Sequence, residues 1–201
     1  MRGPALLAIL AASSALSAAT HTWKGAANGV WSTGANWTGG APTSSEAGGT
    51  VVVFGANTTS VDNIQGLVVD AIHFTGGGNL VKGTFPLTLG GGTPLAAKIV
   101  SDQGANVLDA SLPLVSTVST LTVHVATGNL EIAGNVSGFG LTFEGVFIPS
   151  ELSLTGTNSY TGTTWIKSGT VYLDSPTYGG AIPGDIHLGP DPNLTPQIRE
   201  L

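Results

Sequence analysis

Few side chains in this sequence are suited to chemistry, and they lie far apart. The histidines are His21, His73, His124 and His187, with no His-x-His or His-Glu-x-x-His spacing that would set two imidazoles on one metal. His73, His124 and His187 each sit in a short apolar/polar alternation that turns them outward, so all read as surface histidines. The carboxylates Asp62, Asp70, Asp102, Asp109, Glu131 and Glu144 are dispersed, with no Asp-x-Asp-x-Asp calcium pattern. Two of them could still meet across folded segments as a glycosidase pair, which spacing alone does not decide. There is no cysteine, so neither a thiolate site nor a disulfide framework can form. No Gly-x-Ser-x-Gly elbow is present, and Gly76–Gly78 and Gly90–Gly92 lack the lysine and helix of a phosphate loop, so they read as turns. No cofactor or metal set is expected. The remaining candidates are aromatic. Trp23, Trp31 and Trp37 cluster near the start and Trp165 stands apart. Their flat faces suit sugar stacking, while the first three read chiefly as a plug for the open end of a core.

The elements that carry these residues are set by an unusual composition. Of 201 residues, 30 are glycine and 9% are charged, with a net charge of −6. Six Lys plus Arg cannot neutralise many phosphates, which argues against nucleic-acid binding. Long amphipathic helices need Glu, Lys and Arg on their outer face, and these are scarce. A 41% hydrophobic content supports a core. The start is a separate matter. Met1 and Arg2 precede an apolar run from Pro4 to Leu16 and the small residues Ser17-Ala18-Ala19. That order is the pattern of a secretory signal peptide, with cleavage expected after Ala19. Four sequons, at Asn36, Asn57, Asn135 and Asn193, matter only in a eukaryotic source.

From Thr50 onward, short apolar/polar alternations recur, at Val51–Phe54, Leu67–Phe74, Pro86–Leu89, Leu121–Val125, Asn129–Ile132, Leu141–Phe143, Leu152–Leu154 and Thr170–Leu173. Glycine-rich turns separate them. Short strands every ~10 residues indicate a sandwich, a barrel or a solenoid. Similar strand starts at Gly78-Asn79-Leu80 and Gly128-Asn129-Leu130, and abundant Thr and Asn able to stack as ladders, favour the solenoid over the sandwich. Low charge agrees, because in-register strands would set like charges side by side. The expected fold is all-β: a right-handed parallel β-helix with an N-terminal cap, after a cleaved signal peptide. The expected divisions are 1–19 signal peptide, 20–49 tryptophan-rich cap and 50–201 coils.

Two stretches carry a resemblance. Residues 151–173 contain Leu152, Leu154, Gly156, Asn158, Tyr160, Gly162, Thr164, Ile166, Gly169 and Val171 at the spacing L-x-L-x-G-x-N-x-Y-x-G-x-T-x-I-x-x-G-x-V. This is similar to the autotransporter-associated β-strand repeat, with one residue fewer after Gly162 than the commonest form and valine for the final leucine. The segment from Trp23-Lys24-Gly25 through Trp31-Ser32 and Ala35-Asn36-Trp37 resembles the mature N-terminus of the same secreted proteins. The three glycines are expected at turns with positive φ, and Asn158 is expected to tie a turn. Leu152, Leu154, Ile166, Val171 and Leu173 are expected to point inward, and Ser153, Trp165, Lys167 and Tyr172 outward.

The resemblance implies a non-catalytic passenger or stalk segment of an exported bacterial surface protein, serving display or adhesion. Its implied partners are the export machinery and surface glycans or components of neighbouring cells, at the outer membrane or in the medium. A full-length relative is expected to carry a C-terminal barrel or sorting tail. The chain shows neither, so it reads as a fragment or truncated frame with an uncapped last coil. An alternative is a carbohydrate-binding adhesin module using Trp23, Trp31, Trp37 or Trp165. A third reading, a polysaccharide-degrading β-helix enzyme, lacks the Gly-His-Gly and Asp-Asp motifs of polygalacturonases, and beyond residue 19 the one arginine is Arg199.

Overall fold

The computed structural model describes residues 17–25, 28–44, 46–90, 97–173, 182–189 and 196–200. The apolar run read as a signal peptide lies outside them up to residue 16, as do Gly91, Gly92 and residues 174–181. Strand β1 (Ala19–Trp23) is followed by a 3-10 turn at Gly34–Asn36 and β2 (Trp37–Thr38). The next four coils each contribute three strands. These are β3–β5 (Thr50–Phe54, Thr59–Asp62, Val68–Val69), β6–β8 (Ala71–Phe74, Asn79–Gly83, Leu87–Leu89), β9–β11 (Lys98–Ser101, Ala105–Leu108, Leu114–Ser116) and β12–β14 (Thr120–Val125, Gly128–Ile132, Val136–Ser137). Three pairs complete the chain: β15 and β16 (Gly140–Gly145, Ser150–Leu154), β17 and β18 (Thr164–Ser168, Thr170–Leu173), β19 and β20 (Ile186–Leu188, Gln197–Glu200).

These strands form three sheets of nine, seven and four strands, and every pairing is parallel except β1 with β2. The chain is a parallel β-solenoid of about six turns. From β3 onward coil length runs from 19 residues, between register partners Leu152 and Val171, to 27, between Ile72 and Ile99, and the first coil, from His21 to Val52, takes 31. Alternation explains the register. In Thr120–Val125 the residues Leu121, Val123 and Val125 are buried and Thr120, Thr122 and His124 are not. A slip of one residue would turn every apolar side chain to water. The inward column of the first sheet therefore reads Val52, Ile72, Ile99, Val123, Phe143 and Ile166 from coil to coil.

Two details depart from the expected strands. Leu67–Phe74 is not one strand, because Asp70 makes a corner between β5 and β6. Its Oδ2 accepts the Thr50 N–H at 2.9 Å and its own N–H donates to the Thr50 carbonyl at 2.8 Å, tying two coils at the bend. The core is also not wholly apolar. Asn79 and Asn106 are register partners and fully inward, in the column later filled by Leu130, Leu152 and Val171. Asn79 Nδ2 donates to Asn106 Oδ1 at 2.8 Å, Thr58 Oγ1 donates to Asn79 Oδ1 at 2.6 Å, and Asn106 Nδ2 donates to Ser101 Oγ at 2.9 Å. The amides satisfy one another up the axis, which is what permits them in the interior.

Asp62 is less well served. It is buried on the inward side of β4, and Oδ1 accepts the Ile64 N–H at 2.9 Å while Oδ2 has no hydrogen-bond partner in the protein. Burial pushes its carboxyl up to about 6, against a smaller lowering by the Ile64 bond. A raised acid favours the fold when protonated. Stability is therefore greatest below the unfolded value of 3.8 and falls by about 3 kcal/mol as pH rises through 6. Thermal melts from pH 3.5 to 7.5 should show Asp62→Asn gaining stability over the native chain with rising pH. Parallel curves for the two proteins would refute this.

Candidate functional site

The first candidates sit at the β1–β2 end of the first sheet. Trp23, Trp31 and Trp37 are 5%, 0% and 2% exposed, and they interlock. Trp37 meets Trp23 edge to face at 4.8 Å and Trp31 at 5.4 Å, and Phe54 joins the group and stacks on Phe74 at 5.5 Å. Trp37 Nε1 donates to the Trp31 carbonyl at 2.8 Å. Beneath them, buried Asn36 donates to the Val30 carbonyl and to Asn28 Oδ1. Rings this enclosed offer no face to a sugar, which removes Trp23, Trp31 and Trp37 from the candidate platform and leaves Trp165.

His21 corrects the reading of every histidine as a surface group. It is 3% exposed on β1, with Nδ1 at 2.8 Å from the Gly40 carbonyl and Nε2 at 2.8 Å from Glu46 Oε2. Burial alone would raise the Glu46 carboxyl, but hydrogen bonds from His21 and Thr43 more than offset it and hold it below its usual value. Alternation could not show this, because Glu46 arrives from a connecting segment 25 residues away.

Trp165 projects outward from β17 and is 42% exposed. Its register partner His187 stacks on it, with centroids 4.7 Å apart at 21°. Beside it, Lys167 Nζ donates to Glu144 Oε1 at 2.6 Å, and His124 Nδ1 lies 3.8 Å from Glu144 Oε2. The Lys167 bond holds the Glu144 carboxyl below its ordinary value, against a smaller opposing effect of burial. Further along the same face, His73 Nε2 lies 2.9 Å from Asp102 Oδ2. His73, His124 and His187 thus face outward as alternation predicts. The described carboxylates are divided among several places: Asp62 and Asp70 are buried, Asp102 and Glu144 are on the outside of the first sheet, Glu131 and Glu151 are on the outside of the second, and Asp109 lies in the turn after β10. Among the described residues no group of three or more His, Asp or Glu is placed to hold a metal ion.

The repeat-like residues all serve coil stacking. Leu152, Leu154, Ile166 and Val171 are buried, while Leu173 is half-buried. Asn158 Oδ1 accepts the Val136 N–H at 2.9 Å, holding the chain against the coil beneath where no third strand is formed. Tyr160 is buried and its hydroxyl lies 2.7 Å from the buried Thr164 Oγ1. Burial raises the Tyr160 phenol, with a smaller opposing effect of the Thr164 bond. The glycines require a correction. Gly169 has φ +85°, as a turn demands, but Gly156 and Gly162 do not lie at positive φ. They are glycine because coils touch there: a Cβ would sit 2.5 Å from the Gly134 carbonyl oxygen and 2.4 Å from the Gly140 nitrogen, respectively. Ser153 faces outward yet is 8% exposed, covered on its sheet by neighbours that include Asn129, whose Nδ2 donates to its Oγ at 3.0 Å.

No family model matches the chain, and no curated protein or solved structure is similar to it.

Gly162→Ala should lower the thermal midpoint by several degrees, the cost of forcing a methyl into a close-packed contact being about 1–3 kcal/mol. Gly55→Ala, where a Cβ meets nothing within 4 Å, should leave it unchanged. Equal midpoints for the two variants would show that the coil contact at Gly162 is not tight.

Proposed function

We propose that this chain is a structural passenger or stalk segment of an exported surface protein and acts without catalysis. The observation that carries this reading is the use of the ten repeat-like residues from Leu152 to Val171. Each makes a buried contact, a coil-to-coil contact or a turn, and Gly169 alone of the ten borders the surface cleft beside Glu151 and Tyr172. Such residues suit a fold whose task is to extend. The division of the described carboxylates between the interior and the outer faces of two sheets supports the same reading, since glycoside hydrolysis needs two of them flanking one bond. The buried tryptophans fit a cap over the first coil, whose core cross-section would otherwise meet water. Exposure of Trp165 supports a second reading in which the segment also contacts glycans, as an adhesin module.

Export is tested directly. Expressed from Met1 in a Gram-negative host, the protein should leave the cytoplasm and begin at Thr20 by mass spectrometry, and deletion of residues 1–19 should keep it inside. An uncleaved cytoplasmic product from the full sequence would overturn the reading.

A further inference from the structure

The outer face of the second sheet holds a cleft on the side of the solenoid away from any residue singled out for sugar contact in the sequence. It has a volume of about 360 Å³ and is lined by Phe147, Ile148, Pro149, Glu151, Tyr172 and Arg199, among others. That volume falls at the lower end of the ~300–1,000 Å³ of small-ligand sites. Register builds its floor. Glu151, Thr170 and Gln197 are successive partners in one outward column, and Ser153, Tyr172 and Arg199 in the next. The Tyr172 hydroxyl donates to Glu151 Oε1 at 3.3 Å, and Arg199 Nη2 donates to Gln197 Oε1 at 2.8 Å. The polar groups thus recur at the coil spacing of ~4.8 Å and hold one another in place.

The wall is apolar and holds the two most exposed large apolar side chains among the described residues. Phe147 and Ile148 are 63% and 83% exposed, in the loop between β15 and β16. The loop is nevertheless tied down. Ser150 Oγ accepts the N–H groups of Val146 and Phe147 at 3.2 and 3.1 Å and donates to the Ala126 carbonyl at 2.9 Å. Gly128 N–H and Thr127 Oγ1 both donate to the Pro149 carbonyl, at 2.7 and 3.2 Å. Two large apolar side chains are therefore presented beside a polar floor by a fixed loop.

We infer that this cleft binds a neutral oligosaccharide laid along the coils, with Phe147, Ile148 and Tyr172 against the apolar faces of its rings and Glu151, Gln197 and Arg199 on its hydroxyls. A carboxylate, an amide and a guanidinium supply acceptors and donors in pairs, as vicinal hydroxyls require. One acidic and one basic residue line the cleft, so its formal charge balances and selects no ionic ligand. The cleft is concave and small, which favours a glycan over a flat protein surface. The inference rests on the adhesin reading and moves its site from the first sheet to the second.

The test uses the secreted protein on an array of gluco-, manno- and xylo-oligosaccharides together with oligogalacturonates, followed by calorimetric titration with the best ligand. A neutral oligosaccharide should bind, and Glu151→Gln and Tyr172→Ala should each weaken it about tenfold or more. Circular dichroism confirms folding. If Tyr172→Ala does not fold, Glu151→Gln, which keeps side-chain size, and Arg199→Gln, which shortens an exposed side chain, carry the test. Binding confined to oligogalacturonates overturns the proposal. So does loss with Trp165→Ala and none with Glu151→Gln, which would leave the adhesin reading standing on the first sheet. Absence of binding to any oligosaccharide overturns both.

Discussion

The structure depends on one constraint: each coil hydrogen-bonds in parallel register to the coil before it, at the ~4.7–4.9 Å spacing of paired strands. Whatever a residue does in one coil, its partner 19–31 residues later must do in the same place. Inward columns stay inward from Val52 to Ile166, and Phe54 lies on Phe74. The constraint also acts on the backbone. Where connecting segments stack as closely as strands, a side chain has no room, which is why Gly156 and Gly162 lie against Gly134 and Gly140.

The same spacing governs polar groups. Two like charges in one column would repel at close range, and the chain carries few charges at all. On the first sheet Lys167 faces Glu144 and Asp102 faces His73, while Lys98 has the uncharged Ala71 and Thr122 as register partners. Inside, an amide can stack on an amide because each supplies both a donor and an acceptor, so Asn79 and Asn106 form a ladder where leucine follows in later coils. Asp62 breaks that logic: a carboxylate stacked in the interior has an oxygen with no donor to meet it, and it holds its proton more tightly.

The second sheet shows how a regular stack makes an irregular surface. Its outward columns are polar through Glu151, Thr170 and Gln197, while the loop from Val146 to Pro149 raises an apolar wall beside them. The loop is local because Ser150 returns the chain to register at once, bonding back to Ala126 in the coil beneath.

Much of this was legible in the sequence, and the reason is the period. Alternation over four to six residues marks both a strand and its buried face, so the solenoid class, the inward Leu152, Leu154, Ile166 and Val171, and the outward Trp165 and His124 follow from residue order. Strands with weaker alternation, such as Lys98–Ser101 and Ala105–Leu108, gave no such signal, because their inward positions include Ser101 and Asn106. Only the tertiary structure decided what depends on partners distant in sequence. It buries His21 against Glu46, encloses the three tryptophans for which sequence offered both a cap and a sugar platform, and gives Gly156 and Gly162, which stand at bends without positive φ, a close coil contact. It also assembles Phe147, Glu151, Tyr172 and Arg199 into one cleft from separate coils. Residue order determines which face a side chain takes; stacking determines what it meets there, because the neighbour above belongs to another turn of the chain.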